Sequence, residues 1–197
     1  MELPIRCRCG SVRGAVREAG PRTVNRVVCY CDDCQAFAHH LGRPELLDAS
    51  GGSDIVQVAP ATLRWDSSEQ LRCVRLGPKG LHRWYSECCR TPLGNTLSSV
   101  PFVGLHFSVF GLEAGKLDEL LGPPRARIQG KFARGEPPPG STSLNAVFLA
   151  RTVAQILGWK LRGKSWPHPF FVRETGLPIR EPRVLTTSER EALRAQR

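Results

Sequence analysis

The first 110 residues carry short apolar runs, rich in valine and aromatic residues, with partial alternation of apolar and polar positions. This pattern is typical of half-buried β-strands joined by turns. The predicted strands are Ser11–Val16, Asn25–Tyr30, Asp54–Val58, Leu71–Leu76, Leu81–Tyr85 and Val103–Phe110. The fourth and fifth strands flank Gly77–Gly80, a sequence typical of a hairpin turn. We therefore expect a mainly β fold.

Beyond residue 110 the periodicity becomes helical. Leu112–Leu121 predicts a short helix that ends at a Gly-Pro-Pro sequence, and Ser188–Glu191 fits a capping box for a terminal helix. A further helix, about Leu144–Leu157, places apolar residues largely along one side, namely Val147, Phe148, Val153, Ile156 and Leu157. The pattern predicts a β domain over residues 1–110 and a largely helical extension over 111–197, packed on the core with its tail partly exposed.

Length and charge narrow the class of protein. A chain of 197 residues can bury a hydrophobic core of its own, and it contains no uncharged apolar run near the roughly 18 residues of a membrane-spanning helix. No membrane partner is therefore expected. The formal net charge is +10, with 23 arginines against 5 lysines. Because guanidinium groups bind carboxylates and phosphates bidentately, an anionic small molecule or a nucleic acid is the expected kind of partner.

Seven of the eight cysteines lie in three tight groups. Cys7 and Cys9 form a CxCG turn, Cys88 and Cys89 are adjacent, and the CxCxxC group consists of Cys29, Cys31 and Cys34. Cys73 stands alone in a predicted strand and is expected to be a core residue. Closely spaced thiolates suit zinc, which takes four sulfurs in a closed structural site and three protein ligands in an open, catalytic one. Seven cysteines divided into four and three predict one site of each kind.

The redox compartment decides between metal binding and disulfide bonding. The N-terminal residues lack the basic start and apolar stretch of a secretory signal, so a cytoplasmic, reducing location is expected. Disulfides remain an alternative because eight is an even number. A redox-active pair at Cys31 and Cys34 is a second alternative, although the βαβ context of such motifs is absent.

The cysteine pattern resembles that of the glutathione-dependent formaldehyde-activating family, which also includes centromere protein V. The resemblance covers roughly residues 5–110 and consists of CxCG, then CxCxxC, then a cysteine before Thr-Pro-Leu-Gly after a hairpin. It implies a β-tent fold with two zinc ions. It also implies carbon–sulfur lyase activity, which joins formaldehyde to glutathione as S-hydroxymethylglutathione or reverses that step. By this resemblance Cys7, Cys9 and Cys89 hold structural zinc, and Cys29, Cys31 and Cys34 hold the catalytic-type zinc.

Three features depart from the family pattern. Ser86 occupies the position of the first cysteine in the third group, Tyr30 replaces a frequent histidine, and residues 111–197 extend beyond the shared core. Cys88 is the candidate replacement for the missing cysteine. Adjacent residues of a strand point to opposite faces, so Cys88 and Cys89 can share one metal only if a turn forms at Glu87–Cys89. Without that turn, one zinc ion instead of two is expected.

The resulting hypothesis is a zinc-dependent carbon–sulfur lyase acting on a small thiol or thiol adduct, with glutathione as the candidate thiol. His39 or His40 is the candidate for proton transfer, with Asp32 and Asp33 also near in sequence. The alternative is a non-enzymatic zinc module that binds protein or nucleic acid through a basic surface. Two stretches mix basic and aromatic residues, as nucleic-acid sites do: Arg83–Tyr85 and Lys160–Trp166. The oligomeric state is not specified by any of these patterns.

Overall fold

A computed structural model of the protein describes residues 1–143 and 146–196. Within these residues the fold is mainly β, with two sheets and four α-helices. The strands are β1 (Leu3–Arg6), β2 (Arg13–Val16), β3 (Asn25–Cys29), β4 (Ser53–Val58), β5 (Leu63–Ser67), β6 (Leu71–Arg75), β7 (His82–Ser86), β8 (Pro92–Leu97), β9 (Val100–His106), β10 (Ala126–Ile128) and β11 (Arg183–Val184). The helices are α1 (Asp32–His40), α2 (Ala114–Leu121), α3 (Ala146–Leu161) and α4 (Thr187–Arg194).

The smaller sheet contains β1, β2 and β5, and the larger sheet has the order β10-β3-β4-β9-β8-β7-β6-β11. Pairing is antiparallel except at the two edges of the larger sheet. There β10 runs parallel to β3, and β11 runs parallel to β6. Both edge strands belong to the C-terminal part of the chain, which therefore completes the sheet on either side.

All six predicted strands are confirmed, with shifts of a few residues at their ends. The predicted hairpin is also confirmed, since Leu71 pairs with Ser86 and Val74 with Arg83. The last predicted strand ends early, because Phe107–Phe110 forms a 3-10 turn. Strands β1, β5 and β8 and helix α1 were not predicted. Their periodicity is short or interrupted, and β8 contains Gly94, whose backbone lies directly against the backbone of Gly104.

The core joins the two predicted parts of the chain. Trp84 of β7 is fully buried and stacks on Phe170, with ring centroids 4.6 Å apart. Phe171 is buried in the same cluster, and Trp65 contacts Phe170 edge to face. Cys73 is also buried there, as predicted. The extension thus supplies core residues and two edge strands to the sheet, while the division into domains at residue 110 remains a prediction.

Helix α3 contacts the rest of the protein only in part through the predicted side, from which Phe148 packs against a small buried cluster. Val147, Val153 and Leu157, which were expected to pack on the core, are exposed by 81%, 49% and 54%. The helix instead buries Trp159, while Thr152 accepts a hydrogen bond from Asn25. The predicted start of this helix at Leu144 lies outside the described residues.

The terminal helix is confirmed, but its cap lies two residues before the predicted one. Thr186, rather than Ser188, is the N-cap, and its side chain forms a capping box with Glu189. Thr186 is preferred because Leu185 just before it is buried against α1, which fixes where the helix begins. None of the helices in the described part of the chain is both long and apolar enough to cross a membrane.

Candidate functional site

The CxCxxC cysteines form one cluster where β3 leads into α1. Cys29 ends β3, and Cys31 is the N-cap of α1, with its sulfur 3.4 Å from the backbone nitrogen of Cys34. The three sulfur atoms lie within 4.8 Å of one another. A six-residue segment therefore supplies the whole three-cysteine cluster, because the first turn of the helix brings its cysteines back toward the end of the strand.

The environment of the three-cysteine cluster favours a thiolate at Cys34 alone, since the pKa values of Cys29 and Cys31 are raised, that of Cys31 to about 12. The thiols of Cys29 and Cys31 donate to the sulfur of Cys34 and, together with Arg83, lower the pKa of Cys34 well below its usual range. The same hydrogen bonds raise the pKa of Cys29, whose thiol donates to Cys31 and Cys34. The N-terminus of α1 adds the partial positive charge that stabilises thiolates at helix N-termini.

The remaining four clustered cysteines form a second group, made by two segments distant in sequence. Cys7 and Cys9 follow β1, in a turn that Gly10 completes with a φ of +80°. Cys88 and Cys89 follow β7, where Glu87–Cys89 forms a turn. The sulfur of Cys88 lies 3.3 Å from that of Cys9 and 3.9 Å from that of Cys7. The turn needed for Cys88 and Cys89 to share a site is therefore present.

The two adjacent cysteines of this four-cysteine cluster differ in electrostatics. Burial and hydrogen bonds to Cys9 and Cys7 raise the pKa of Cys88 to about 12. Burial opposes ionisation of Cys89 too, but hydrogen bonds from the hydroxyls of Ser86 and Thr91 outweigh it and lower its pKa to about 5. Ser86, at the position where the sequence resemblance leads us to expect a cysteine, lies 3.3 Å from the Cys89 sulfur and stabilises its thiolate.

Both clusters have the donor atoms and spacing of a metal site. Four sulfurs at about 2.3 Å from one tetrahedral ion lie roughly 3.8 Å from each other. The separations within the four-cysteine cluster are 3.3–3.9 Å where they are in contact. All eight cysteines are free, so the described chain contains no disulfide bond. Both clusters could therefore hold a metal ion, the first with three sulfurs and the second with four.

The two histidines predicted from sequence lie at the far end of α1. His39 and His40 follow Cys34 by five and six residues, which is about 8–9 Å along a helix axis. His39 Nε2 lies 2.8 Å from Arg134 Nη2, and burial together with that guanidinium lowers the pKa of His39. His40 contacts the ring of Tyr85 edge to face. Their role in proton transfer remains a prediction.

Two residues near the three-cysteine cluster were missed by the sequence reasoning. His106 at the end of β9 is buried, and burial lowers its pKa to about 4, although the Cys34 thiolate opposes this shift. Its Nδ1 lies 2.8 Å from Ser108 Oγ. Arg83 of β7 is 2% exposed, with Nη1 3.8 Å from the sulfur of Cys34. Neither residue lies near the cysteines in sequence, so no local pattern could identify them.

The C-terminal helix binds the acidic residues inside the CxCxxC turn. Arg194 forms ion pairs with Asp32 at 2.6 Å and with Asp33 at 2.8 Å, and Arg190 binds Asp33 at 3.0 Å. Leu185 and Leu193 pack against the apolar side of α1 below these pairs. The two predicted proton-transfer carboxylates are therefore engaged by α4, which holds the first turn of α1 in place.

An open cavity of about 670 Å³ lies beside this helix pair. Its lining is Lys131, Phe132, Ala133, Arg134, Gly135 and Arg194. The Lys131 ammonium lies 4.9 Å from the ring centroid of Phe132, and Arg134 contacts neutral His39. Among the described residues, no carboxylate lies within ion-pair distance of Lys131 or Arg134. The cavity therefore offers cations to an anionic ligand at the edge of the three-cysteine turn.

Comparisons with known proteins place the chain in one family. It belongs to the family described as "Family of unknown function (DUF6151)", which matches residues 1–182. A comparison with curated proteins gives no match. Among solved structures, a Rhodobacter sphaeroides protein is 19% identical, and the alignment covers 60% of this chain and 98% of that chain with a TM-score of 0.42.

Proposed function

We propose that this member of the DUF6151 family binds zinc at both cysteine clusters and acts, at the three-cysteine cluster, as a carbon–sulfur lyase on a thiol adduct. The observation that carries the proposal is the division of the sulfurs into a set of four and a set of three. Four thiolates complete the coordination of zinc, whereas three leave a position for a substrate. S-hydroxymethylglutathione is the adduct that the sequence resemblance favours, and the β-tent architecture is part of the same proposal.

The chemistry proposed at the three-cysteine site is reversible. In the forward direction a thiolate adds to the carbon of formaldehyde, a carbon–sulfur bond forms, and the new alkoxide takes a proton to give the hydroxymethyl group. In the reverse direction the hydroxyl loses its proton, the carbon–sulfur bond breaks, and thiol and aldehyde are released. Zinc, when bound, would lower the pKa of a thiol and stabilise it as the leaving thiolate.

The residues around the site have separate tasks in this proposal. Cys29, Cys31 and Cys34 hold the metal, and Lys131 and Arg134 attract the carboxylates of a substrate such as glutathione. His106 is buried and neutral, which makes it a candidate to accept or return the hydroxyl proton beside Cys34. His39 and His40 are the candidates from sequence, and replacing each histidine by asparagine distinguishes the three.

Of the two stretches that suggested a nucleic-acid-binding module, the first is largely buried, whereas the second keeps exposed basic side chains at Lys160 and Arg162. Arg83 and Trp84 are buried at 2% and 0% exposure, so neither can contact a nucleic acid. In the second stretch, Lys164 is paired with Glu18 and Trp166 packs against the core cluster. We therefore favour the enzyme, and salt-sensitive DNA binding without thiol-adduct turnover is the result that would favour the module.

The proposed function is tested by the exchange of labelled formaldehyde with glutathione, followed by NMR. We expect zinc-loaded protein to accelerate exchange, and Cys31→Ser to reduce the acceleration at least about 100-fold because the open metal site is lost. Cys73→Ala is the matched control, because Cys73 is buried and belongs to neither cluster. A wild-type protein that carries two zinc ions and leaves the spontaneous rate unchanged would contradict the proposal.

A further inference from the structure

Arg83 is a buried charge in the middle of the larger sheet. Its Nη1 donates to Asn95 Oδ1 at 3.3 Å and lies 3.8 Å from the Cys34 sulfur. Its guanidinium carbon lies 5.5 Å from the ring centroid of Phe37. A buried guanidinium is strongly unfavourable unless an anion or a set of hydrogen bonds compensates it. The question is which group provides the negative charge.

No carboxylate provides it. In residues 1–143 and 146–196 no aspartate or glutamate lies within ion-pair distance of Arg83. Asp33 is close enough to interact over a longer distance, but its carboxylate is bound by Arg190 and Arg194. The group in contact with Arg83 that is able to carry negative charge is the sulfur of Cys34. The guanidinium and the three-cysteine cluster are therefore a single electrostatic unit.

We infer that Arg83 is the positioning residue that supplies the counter-charge of the three-cysteine metal site. A divalent ion with three thiolates carries a charge of −1, which the guanidinium balances to zero. A fourth, anionic ligand brings the unit to −1 with Arg83 and to −2 without it. Arg83 therefore both favours metal binding by buried thiolates and favours an anion, such as a thiolate, as the fourth ligand. This inference rests on the metal occupancy of the proposed function.

The four-cysteine cluster of the same molecule provides an internal reference. Cys9 and Cys88 are exposed, so water can screen the −2 charge of a four-thiolate site. In the described chain no arginine side chain donates to any of these four sulfurs. Removal of the Arg83 charge should therefore change the metal affinity of one cluster and leave the other unchanged.

The test measures cobalt(II) binding in wild-type protein and in Arg83→Met, Arg83→Gln and Arg83→Lys. Cobalt is followed by its thiolate charge-transfer absorption, and affinities are obtained by competition with a chelator. Loss of the charge in Arg83→Met should weaken the three-cysteine site by about 10- to 100-fold, the size expected for adjacent charges in a partly polar interior. Arg83→Lys keeps a positive charge but loses the planar guanidinium, so it should lose less affinity than Arg83→Met.

The controls distinguish the effect of the Arg83 charge from the effects of misfolding and of a changed side-chain shape. Arg75→Met on neighbouring β6 removes a partly exposed arginine that donates to Gly80 and should leave both sites unchanged. The cobalt affinity of the four-cysteine cluster, measured alone in a Cys31→Ser background, reports whether each variant is folded. Arg83→Gln keeps a hydrogen-bond donor without the charge and replaces Arg83→Met if that variant does not fold.

The outcomes also separate this inference from the proposed function. Wild-type cobalt affinity in folded Arg83→Met or Arg83→Gln would overturn the inference, and so would an equal loss in Arg83→Lys. Failure of wild-type protein to bind a second cobalt ion would overturn both proposals. Binding of two ions, with the expected effect of Arg83 but no thiol-adduct turnover, would support the inference and overturn the proposed function alone.

Discussion

The two cysteine clusters are built in opposite ways. The four-cysteine cluster joins the turn after β1 to the turn after β7, and Cys9 and Cys88 remain exposed. The three-cysteine cluster comes from one short segment, buries Cys34, and places its sulfur beside the buried Arg83. A metal in the first cluster would cross-link the smaller sheet to the larger one, whereas a metal in the second would join only residues of one six-residue segment. We therefore expect a metal in the four-cysteine cluster to stabilise the fold, and a metal in the three-cysteine cluster to be available for chemistry.

The proposed difference between the two clusters is tested most directly by removing one sulfur from each. We expect Cys7→Ser to lower the free energy of unfolding more than Cys31→Ser. Complete loss of a metal cross-link that closes a loop of about 80 residues costs roughly 4 kcal/mol, against roughly 2 kcal/mol for a loop of six residues, and the three sulfurs left in Cys7→Ser keep its loss below that limit. Urea unfolding of the zinc-loaded proteins measures both. Equal destabilisation by the two substitutions would contradict the division into a structural and an open site.

The second prediction concerns Cys88, the candidate replacement for the cysteine expected at position 86. Cys88→Ser should weaken metal binding at this cluster at least about 100-fold, more than the loss of an outer-shell partner, because three sulfurs remain. A competing chromophoric chelator measures the affinity. Ser86→Cys in the same background should restore most of it, since the Ser86 side chain already lies against the Cys89 sulfur.

Ser86→Cys by itself is the matched control for this exchange. The four native sulfurs remain, so we expect wild-type affinity in that variant. Unchanged affinity in Cys88→Ser would show that Cys88 is not a ligand, and the four-to-three comparison would then become a comparison of two three-sulfur sites.

The smallest expected effect concerns the support of the three-cysteine turn by α4. Replacing both Arg190 and Arg194 by alanine removes the ion pairs to Asp32 and Asp33 and should cost about 1 kcal/mol, because these pairs are partly exposed. Hydrogen exchange should become faster in α1 and α4 and stay unchanged around the four-cysteine cluster. Arg64→Ala, which removes two exposed ion pairs elsewhere, with Glu2 and Asp66, is the control. Faster exchange around both clusters would show that α4 supports the whole sheet.

Patterns along the chain predicted the strands well and the helices less well. Asn25–Cys29 and Leu71–Arg75 are short runs in which most side chains are buried, and their apolar residues marked these positions in the sequence. The apolar side of α3 did not predict its contacts well, because the sequence pattern shows which side of a helix is apolar but not which side packs on the rest of the protein. Phe148 of the predicted side does pack on a buried cluster, but Trp159, which α3 buries most fully, lies outside that side.

The candidate site shows the same limit. The groups of cysteines are local in sequence, and their division into four and three could be predicted from spacing alone. Whether Cys88 supplies the fourth sulfur of the four-cysteine cluster could not be predicted, because it depended on whether Glu87–Cys89 forms a turn or continues the strand. Arg83 and His106 could not be predicted either, since each reaches Cys34 only through strand pairing.

The sequence by itself determined which side chains can bind metal, because thiolates a few residues apart meet in any turn or helix that contains them. Only the tertiary structure decided how the clusters differ. Bringing the Cys7 and Cys88 turns together requires the smaller sheet to pack beside the larger one, and the burial of Arg83 beside Cys34 requires the order in which β6, β7 and β8 pair. Charge compensation in a protein interior depends on distances between residues that the fold brings together, and these distances cannot be obtained from the spacing of residues along the chain.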